Sequence, residues 1–376
     1  MKIGMIGFRG IPHTYSGNEE FVRHLAPRLA ERGHDVTVYC RSNLFTDRTP
    51  IYQGVHRVFL PTIEHKSGGM FIHAALAVTA ALRHGLDIIY IHTLPSAPHS
   101  LLPWLFRKPV IINMDGFEWQ REKWGMIGKT YFKLARNIAL VVADEIVNDC
   151  EVLRQYYLRN FGRDSAFIPY GAELESSRGA AVIRKWGLKP DGYYLIASRL
   201  VPENNADKII NAYRRIATDR LLVVAGSANY SSPWLDRVRA EAGERIRFIG
   251  HVSDPGDVIE LHCGCHAYIH GHSVGGTNPS LVKALGCGNC IAAFASPFNR
   301  EVLTGPDGAL YGELFADEDE LVRILQGFED QPGLVESYRA RAWSRVREAY
   351  TWEQVTDGYE AVFRAVLERR ARRSGA

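Results

Sequence analysis

The stretch that decides the fold is Lys2-Ile3-Gly4-Met5-Ile6-Gly7-Phe8-Arg9-Gly10-Ile11-Pro12-His13-Thr14-Tyr15-Ser16-Gly17-Asn18-Glu19. It reads as a short apolar strand, a long loop with glycines at both ends, and the opening of a helix. From Glu19 to Arg32, the residues Phe21, Val22, Leu25 and Leu29 recur at the spacing of one helical face. Gly33 stops that helix, and Asp35 to Cys40 is the next strand. Strand, loop and returning helix form the repeating unit of a parallel sheet. In such a unit the loop amides and the helix N-terminus face whatever binds there.

The same alternation continues outward. Val55 to Leu60, Ile88 to His92, Val110 to Asn113 and Glu145 to Val147 read as strands, with helices near 70–84, 96–106, 126–139 and 150–160. Periodicity is lost over the polar stretch Glu173 to Gly179 and then restarts. Tyr193 to Ala197, Leu221 to Ala225, Ile246 to Ile249, Ala267 to His270 and Cys290 to Phe294 are strands, separated by helices near 205–217, 233–242, 254–263, 278–286 and 317–328. The expectation is an α/β protein of two Rossmann-like domains, 1–172 and 183–350, with ligands at the carboxyl ends of the strands.

Composition agrees with two domains. A chain of 376 residues is too long for one compact core, and 46% hydrophobic with 23% charged residues is the balance of a globular protein. The net charge of +3 is too small to argue for nucleic acid. Between Leu101 and Arg136, however, seven Lys or Arg stand against three Asp or Glu, interleaved with aromatic residues. Met1 runs straight into the first strand, and the apolar stretch Met70 to Leu82 is too short to span a bilayer, so a cytoplasmic location is expected. The six cysteines fit neither the spacing of paired zinc ligands nor a disulfide framework, and read as small buried residues. Gly4, Gly7 and Gly10 miss the Gly-x-Gly-x-x-Gly spacing, and no acidic residue closes the second strand, which disfavours a hydride-transfer enzyme.

Four constellations carry chemistry. The first loop places Gly10 and Gly17 where backbone can meet a diphosphate or sugar, with Tyr15 and Glu19 beside them. After the strand at 110–113, the loop Asp115-Gly116-Phe117-Glu118-Trp119-Gln120-Arg121-Glu122-Lys123-Trp124 sets Asp115 at a strand end, where catalytic side chains cluster, and its tryptophans read as walls for a sugar or lipid-linked acceptor. His92, ending the neighbouring strand, is expected to point into the same space. Third, Arg199-Leu200-Val201-Pro202-Glu203-Asn204-Asn205 offers a guanidinium suited to bidentate contact with diphosphate oxygens. Fourth, His270-Gly271-His272-Ser273-Val274-Gly275-Gly276-Thr277-Asn278-Pro279-Ser280-Leu281-Val282-Lys283 joins two glycines to a helix N-terminus, a second anion site. No Asp-x-Asp pair sits at a strand end, so no metal-dependent transferase is expected.

These stretches, taken together with Arg9-Gly10-Ile11-Pro12, resemble the retaining GT-B glycosyltransferases of the family-four group. They are most similar to bacterial rhamnosyltransferases of capsule, exopolysaccharide or O-antigen assembly. The resemblance implies two domains facing each other across a cleft, with a helix over 351–376 packing back on the N-terminal domain. It implies transfer of a sugar from a nucleotide diphosphate, the best match being L-rhamnose from dTDP-rhamnose, onto a glycan or polyprenyl-linked glycan at the inner face of the membrane. No metal or other cofactor and no nucleic acid partner is implied.

Catalytic roles then fall to Asp115, His92 and Arg199. The donor falls to Gly10, Gly17, Arg199, Asn205, Gly250, Gly275, Gly276, Thr277, Asn278, Pro279, Ser280 and Lys283. The acceptor falls to Tyr15, Glu19, Glu118, Trp119 and Lys123. The broad family carries two glutamates where this chain has Gly275 and Lys283. An ammonium cannot accept the ribose hydrogen bond expected of the second. A mannosyl-, glucosyl- or galactosyltransferase, or a catalytically impaired homologue that still binds a sugar nucleotide, are the competing readings.

Overall fold

The computed structural model describes residues 1–12, 17–63, 68–120, 124–227, 233–240 and 243–374. The chain divides into two compact units, Met1–Tyr170 with Trp352–Ala376, and Gly171–Thr351.

The first unit runs β1 (Lys2–Ile6), α1 (Gly17–Glu31), β2 (Asp35–Arg41), β3 (Ile51–Tyr52), β4 (Val55–Leu60), α2 (Gly68–Ala81), β5 (Ile88–Ile91), α3 (Leu101–Leu105), β6 (Val110–Asn113), α4 (Met126–Val142), β7 (Glu145–Asn148), α5 (Glu151–Phe161) and β8 (Ala166–Phe167). Its strands form one sheet in the order β3-β4-β2-β1-β5-β6-β7-β8. Every neighbouring pair is parallel except the β3–β4 hairpin. That hairpin, absent from the sequence reading, turns on Gln53 and Gly54 with φ of 46° and 77°, the two positive values a tight two-residue turn needs. The helix expected over 96–106 is instead a 3-10 stretch, Leu94–Ser100, followed by the short α3. Pro98 and Pro103 cannot donate to a continuous α-helical ladder.

The second unit runs α6 (Ala181–Arg184), β9 (Tyr193–Ala197), α7 (Ala206–Arg214), β10 (Leu221–Ala225), α8 (Pro233–Ala240), β11 (Ile246–Gly250), α9 (Pro255–Gly264), β12 (Ala267–His270), α10 (Pro279–Gly286), β13 (Ile291–Phe294), α11 (Pro297–Leu303), β14 (Glu313–Phe315), α12 (Glu318–Asp330) and α13 (Pro332–Ala349). Its six strands are all parallel, in the order β11-β10-β9-β12-β13-β14. Two apolar clusters pack on the two faces of this sheet, one around Ile196, Val224 and Ile269, the other around Leu195, Val223 and Tyr268. Three successive helices begin with the same local chemistry, a polar cap followed by proline: Asp254-Pro255, Asn278-Pro279 and Ser296-Pro297. Each cap side chain accepts from a backbone amide of its first turn, and proline needs no acceptor there.

The chain then returns to the first unit as α14 (Trp352–Ser374). Trp352, Val355, Tyr359, Phe363 and Val366 are buried in the first unit's core beside Phe21, Val22 and Leu25 of α1. Arg32, one residue past α1, also pairs with Glu353, Asp357 and Glu360, but such solvated pairs add little beside that apolar burial.

Strand order fixes where ligands can bind. In each sheet the chain runs outward to one side of its first strand and then crosses back to the other. The switch points are β1/β5 in the first unit and β9/β12 in the second. Open parallel sheets part their loops at these points, leaving a crevice at the strand carboxyl ends. The described residues there are Gly7–Pro12, Gly17 and His92 in the first unit, and Ser198–Asn205 and Gly271–Asn278 in the second.

Candidate donor and acceptor sites

In the first unit the loop after β1 is held by its backbone. The Arg41 amide donates to the Arg9 carbonyl at 2.9 Å, and the Arg9 amide donates to Glu19 Oε1 at 3.0 Å. Gly10 and Ile11 are buried and Gly17 is half-buried. Glu19, only 3% exposed, is therefore a clamp of the loop as well as a candidate acceptor residue. Tyr15 and Lys123, both assigned to the acceptor from sequence, lie outside the described residues.

His92 does not project into open space. Its ring is fully buried and lies nearly parallel to those of Phe8 and Phe21, with centroids 4.7 and 4.8 Å away. Nδ1 lies 2.8 Å from the Tyr90 hydroxyl and Nε2 lies 3.4 Å from the Tyr170 hydroxyl. Burial pushes its pKa down to about 3, so the imidazole is neutral and both nitrogens are occupied. The catalytic role expected of it gives way to a place in the core, because a strand-end side chain flanked by two phenylalanines packs rather than protrudes.

Asp115 is half-buried just beyond β6. Its loop is tied to β7, where the Met114 amide donates to the Val147 carbonyl and Asn148 Nδ2 donates to the Met114 carbonyl, both at 2.9 Å. Asp115, Glu19 and Asp149 all bear on Tyr170. Burial first, then these carboxylates, raise its phenol well above the usual tyrosine range. The sequence-predicted trio Glu19, Asp115 and His92 is thus gathered around one buried tyrosine. Asp149 and Tyr170 were missed. The signal available for Asp149 was its place one residue past β7, the position that drew attention to Asp115 past β6.

Trp119 departs from expectation. It is 9% exposed and packs edge-on to Phe117 at 5.5 Å and near Tyr156 at 6.1 Å, with the Arg136 guanidinium 5.2 Å from its ring. It is a core aromatic of the α4–α5 side, not an exposed wall. Glu118 is half-buried and accepts from Trp124 Nε1 at 3.4 Å.

In the second unit the loops after β9, β10 and β11 are stitched in sequence. Ser198 N donates to the Ala225 carbonyl at 3.0 Å, Leu200 N to Ser227 at 3.3 Å and Gly226 N to Gly250 at 2.7 Å. Gly250 is half-buried at this edge. The Arg199 carbonyl accepts from Asn204 Nδ2 at 2.7 Å and from Val201 N at 3.1 Å, so its backbone is pinned while the residue is exposed. Asn205 is 6% exposed and donates from Nδ2 to the Gly271 carbonyl at 2.8 Å. Its side chain joins the β9 and β12 loops instead of reaching outward to a donor.

Gly275 and Asn278 shape the last loop. Gly275 has φ of 148°, and a Cβ there would meet nothing within 4 Å, so the backbone borders open space in a conformation that side chains resist. Gly276 and Thr277 are buried, and Asn278 and Ser280 half-buried. Within α10's first turn Pro279 has no amide, Ser280 N donates to Asn278 Oδ1 at 3.0 Å, and Leu281 N donates to the Asn278 carbonyl at 3.0 Å. An anion at this end therefore meets the loop around Gly275–Thr277 and the helix dipole rather than those two amides. Lys283 is half-buried on α10, and its charge falls on buried His262 and on the Cys287 thiol.

The description Glycosyltransferase Family 4 matches residues 15–176, and Glycosyl transferases group 1 matches residues 181–344. No curated protein sequence matches the chain. Among solved structures, sucrose-phosphate synthase from Thermosynechococcus elongatus is similar at 17% identity and a TM-score of 0.79, over 98% of this chain and 100% of that one. Anabaena HepE, solved with UDP and glucose, is similar at 16% identity and 0.78, over 97% and 100%. The α,α-trehalose 6-phosphate synthase from Burkholderia multivorans is similar at 12% identity and 0.73, over 100% and 98%.

The state of His92 has a consequence for acid stability. An unfolded histidine titrates near 6.5 and the folded one near 3, so between these values the unfolded chain binds the extra proton. The stabilisation is full above about pH 6.5 and drains away as pH falls toward 3. Replacing His92→Phe keeps a flat ring in the stack and removes that proton. Urea unfolding of the first unit at pH 4.5–6 should lose roughly 1.4 kcal/mol per pH unit of its pH dependence. An unchanged slope would mean the ring takes up its proton in the folded state.

Proposed function

The chain belongs to the GT-B glycosyltransferases whose two halves these family descriptions cover, and from that premise we propose that it transfers L-rhamnose from dTDP-rhamnose, with retention, onto a glycan or polyprenyl-linked glycan of cell-surface polysaccharide synthesis. The observation that carries the donor half is Arg199, an exposed residue on a pinned backbone at the β9/β12 switch point. Its guanidinium neutralises the leaving diphosphate, with the Gly275–Thr277 backbone and the α10 dipole alongside, and no metal ion is needed for that step. HepE, which was solved with UDP and glucose, supports a nucleotide sugar as co-substrate. Asp115 and Glu19 serve the acceptor in the first unit, and His92 is a scaffold residue.

Arg199→Ala should cut transfer by orders of magnitude while circular dichroism and melting stay as in the wild type, and wild-type transfer should persist in EDTA. Normal turnover in the variant, or loss in EDTA restored by manganese, would overturn this assignment.

A second reading, an impaired homologue that still binds a sugar nucleotide, is favoured by Lys283. The residue is half-buried on α10, where the family pattern calls for a carboxylate toward the ribose. Loss of a charge-assisted bond costs about 1.5–3 kcal/mol, roughly ten- to a hundredfold in affinity. Lys283→Glu is therefore expected to tighten the donor and raise turnover at limiting donor. Calorimetry showing equal or weaker binding would mean that the lysine belongs to a different donor geometry.

A lipid-linked acceptor places the enzyme at the inner membrane face, and the α2–α4 surface suits that location. Leu105 is 69% exposed, Phe106 61%, Met126 84% and Ile127 89%, with Phe71 and Leu134 also exposed. Arg107 and Lys133 are exposed beside them, and Arg370 of α14 donates to the Arg107 carbonyl at 2.6 Å, bringing the basic end of that helix to the same edge. No described helix is long and apolar enough to cross a membrane, and the combination reads as interfacial docking, with apolar tips in the headgroup layer and cations on anionic lipid. Vesicles containing anionic lipid should bind the protein at low salt and release it at high salt. Charge reversal at Arg107 and Lys108 should weaken binding severalfold, and absence of vesicle binding at low salt would remove the membrane from the scheme.

A further inference from the structure

Beneath the β12–α10 loop runs a buried polar column. His262 on α9 lies with Nδ1 2.9 Å from Asn289 Oδ1, and Asn289 Nδ2 donates to the His262 carbonyl at 2.7 Å. The His262 ring packs on Tyr268 at 4.9 Å. The Tyr268 hydroxyl lies 3.1 Å from His270 Nδ1 and 3.4 Å from the Ala197 carbonyl at the end of β9. His270 is 1% exposed, and its ring lies almost parallel to that of His272, with centroids 4.3 Å apart and planes 12° off parallel. His272 is itself half-buried, so His270 sits one ring below the surface.

At the bottom of this stack one buried ring nitrogen is unpartnered. His270 Nε2 is buried and has no hydrogen-bond partner. An unmade bond at a buried polar atom is costly, and a phenylalanine or leucine would fill the space without that cost. The loop around it is rigid. Asn205 Nδ2 holds the Gly271 carbonyl at 2.8 Å, Asn299 Nδ2 holds the His272 carbonyl at 2.9 Å, and Ser273 donates from N and Oγ to the Glu203 carbonyl at 3.0 and 2.8 Å. A Cβ on Gly271 would stand 2.1 Å from the Asn204 carbonyl, so the β9 and β12 loops touch here. The unpartnered nitrogen thus lies at the β9/β12 switch point, on the last residue of β12, beneath the loop that carries Gly275 and leads to the helix capped by Asn278.

We propose that His270 Nε2 is a hydrogen-bonding position of the donor site that takes a hydroxyl of the transferred sugar, with His272 as the wall beside it. This assignment rests on the nucleotide-sugar reading given above. Burial, and next the neighbouring His262, hold His270 down to about 3, so the ring is neutral. A neutral imidazole suits a hydroxyl, which both donates and accepts and so satisfies either tautomer. A diphosphate would need the N–H form and would reward a charged ring, which this burial opposes. The group recognised is therefore a hydroxyl and not the charged diphosphate, and the comparison of sugar nucleotide with parent nucleotide tells the sugar's hydroxyls from the ribose's.

The test is calorimetry with dTDP-rhamnose and UDP-glucose against their sugar-free partners dTDP and UDP. His270→Phe should weaken whichever sugar nucleotide binds the wild type by about five- to tenfold, and leave the parent nucleotide within about twofold. Two amides separate the ring nitrogens: glutamine places its NH2 near Nε2, asparagine near Nδ1. His270→Gln should recover most of the lost affinity and His270→Asn should not, a contrast that holds if the phenylalanine variant fails to fold. Equal losses for sugar nucleotide and nucleotide, no loss at all, or rescue by asparagine instead of glutamine would reduce His270 to a support for Tyr268. If the wild type binds none of the four ligands, the nucleotide-sugar reading itself falls. Wild-type binding of a sugar nucleotide with an indifferent His270→Phe sinks only this assignment.

Discussion

Phe21 carries more of the first unit than any other side chain described. Its ring lies nearly parallel to His92, edge-on to Tyr170 and Tyr359, and tilted against Trp352 and Tyr90. Through His92 it meets the end of β5, and through its own helix it fixes Glu19, which holds the loop after β1. Tyr170 and Trp352 are the residues at which the chain leaves this unit and re-enters it. A single aromatic cluster thus sets a switch-point loop, both crossing segments and the docking of α14. Close-packed interiors transmit such constraints because a ring displaced at one end has no void to move into at the other.

The second unit reaches a comparable rigidity by different means. Its carboxyl edge is held by hydrogen bonds in which asparagine amides grip loop carbonyls: Asn204 on Arg199, Asn205 on Gly271 and Asn299 on His272. Each of these amides is buried and reads the backbone, not the ligand. Backbone set in advance suits a site where charge develops, because oriented dipoles that need no rearrangement stabilise such charge most effectively.

The architecture was legible because strand–helix alternation and the polar break near 173–179 are local signals. The loops named from sequence are those at strand carboxyl ends, and three of the four follow β1, β9 and β12, strands at the two switch points, while the Asp115 loop follows β6. What sequence could not convey was which strands are neighbours, and so which side chains turn inward. His92, Trp119 and Asn205 were read outward because each sits in a loop or strand end of polar company. Phe8 and Phe21, Tyr156 and Arg136, and the Gly271 carbonyl claim them from far along the chain. Asp149 was overlooked for the converse reason, since it stands between a strand and a helix start and resembles an ordinary cap. The short β3, β8 and β14 gave too few residues for a periodic pattern, and β3 rests on its turn more than on its side chains.

The first unit is not contiguous, and that orders its birth on the ribosome. Residues 171–351 are complete in themselves, so the second unit can close its two apolar clusters as soon as it has emerged. The unit whose strands are made first must wait for Trp352, Val355, Tyr359, Phe363 and Val366 before its core is filled. Until then the face of α1 bearing Phe21 and His24 lacks the cover of Trp352 and Tyr359, in a nascent chain that has already built a finished neighbour. Long-range closure of this kind is slow, and uncovered apolar surface is what holdase chaperones recognise. In this molecule the unit begun first is finished last.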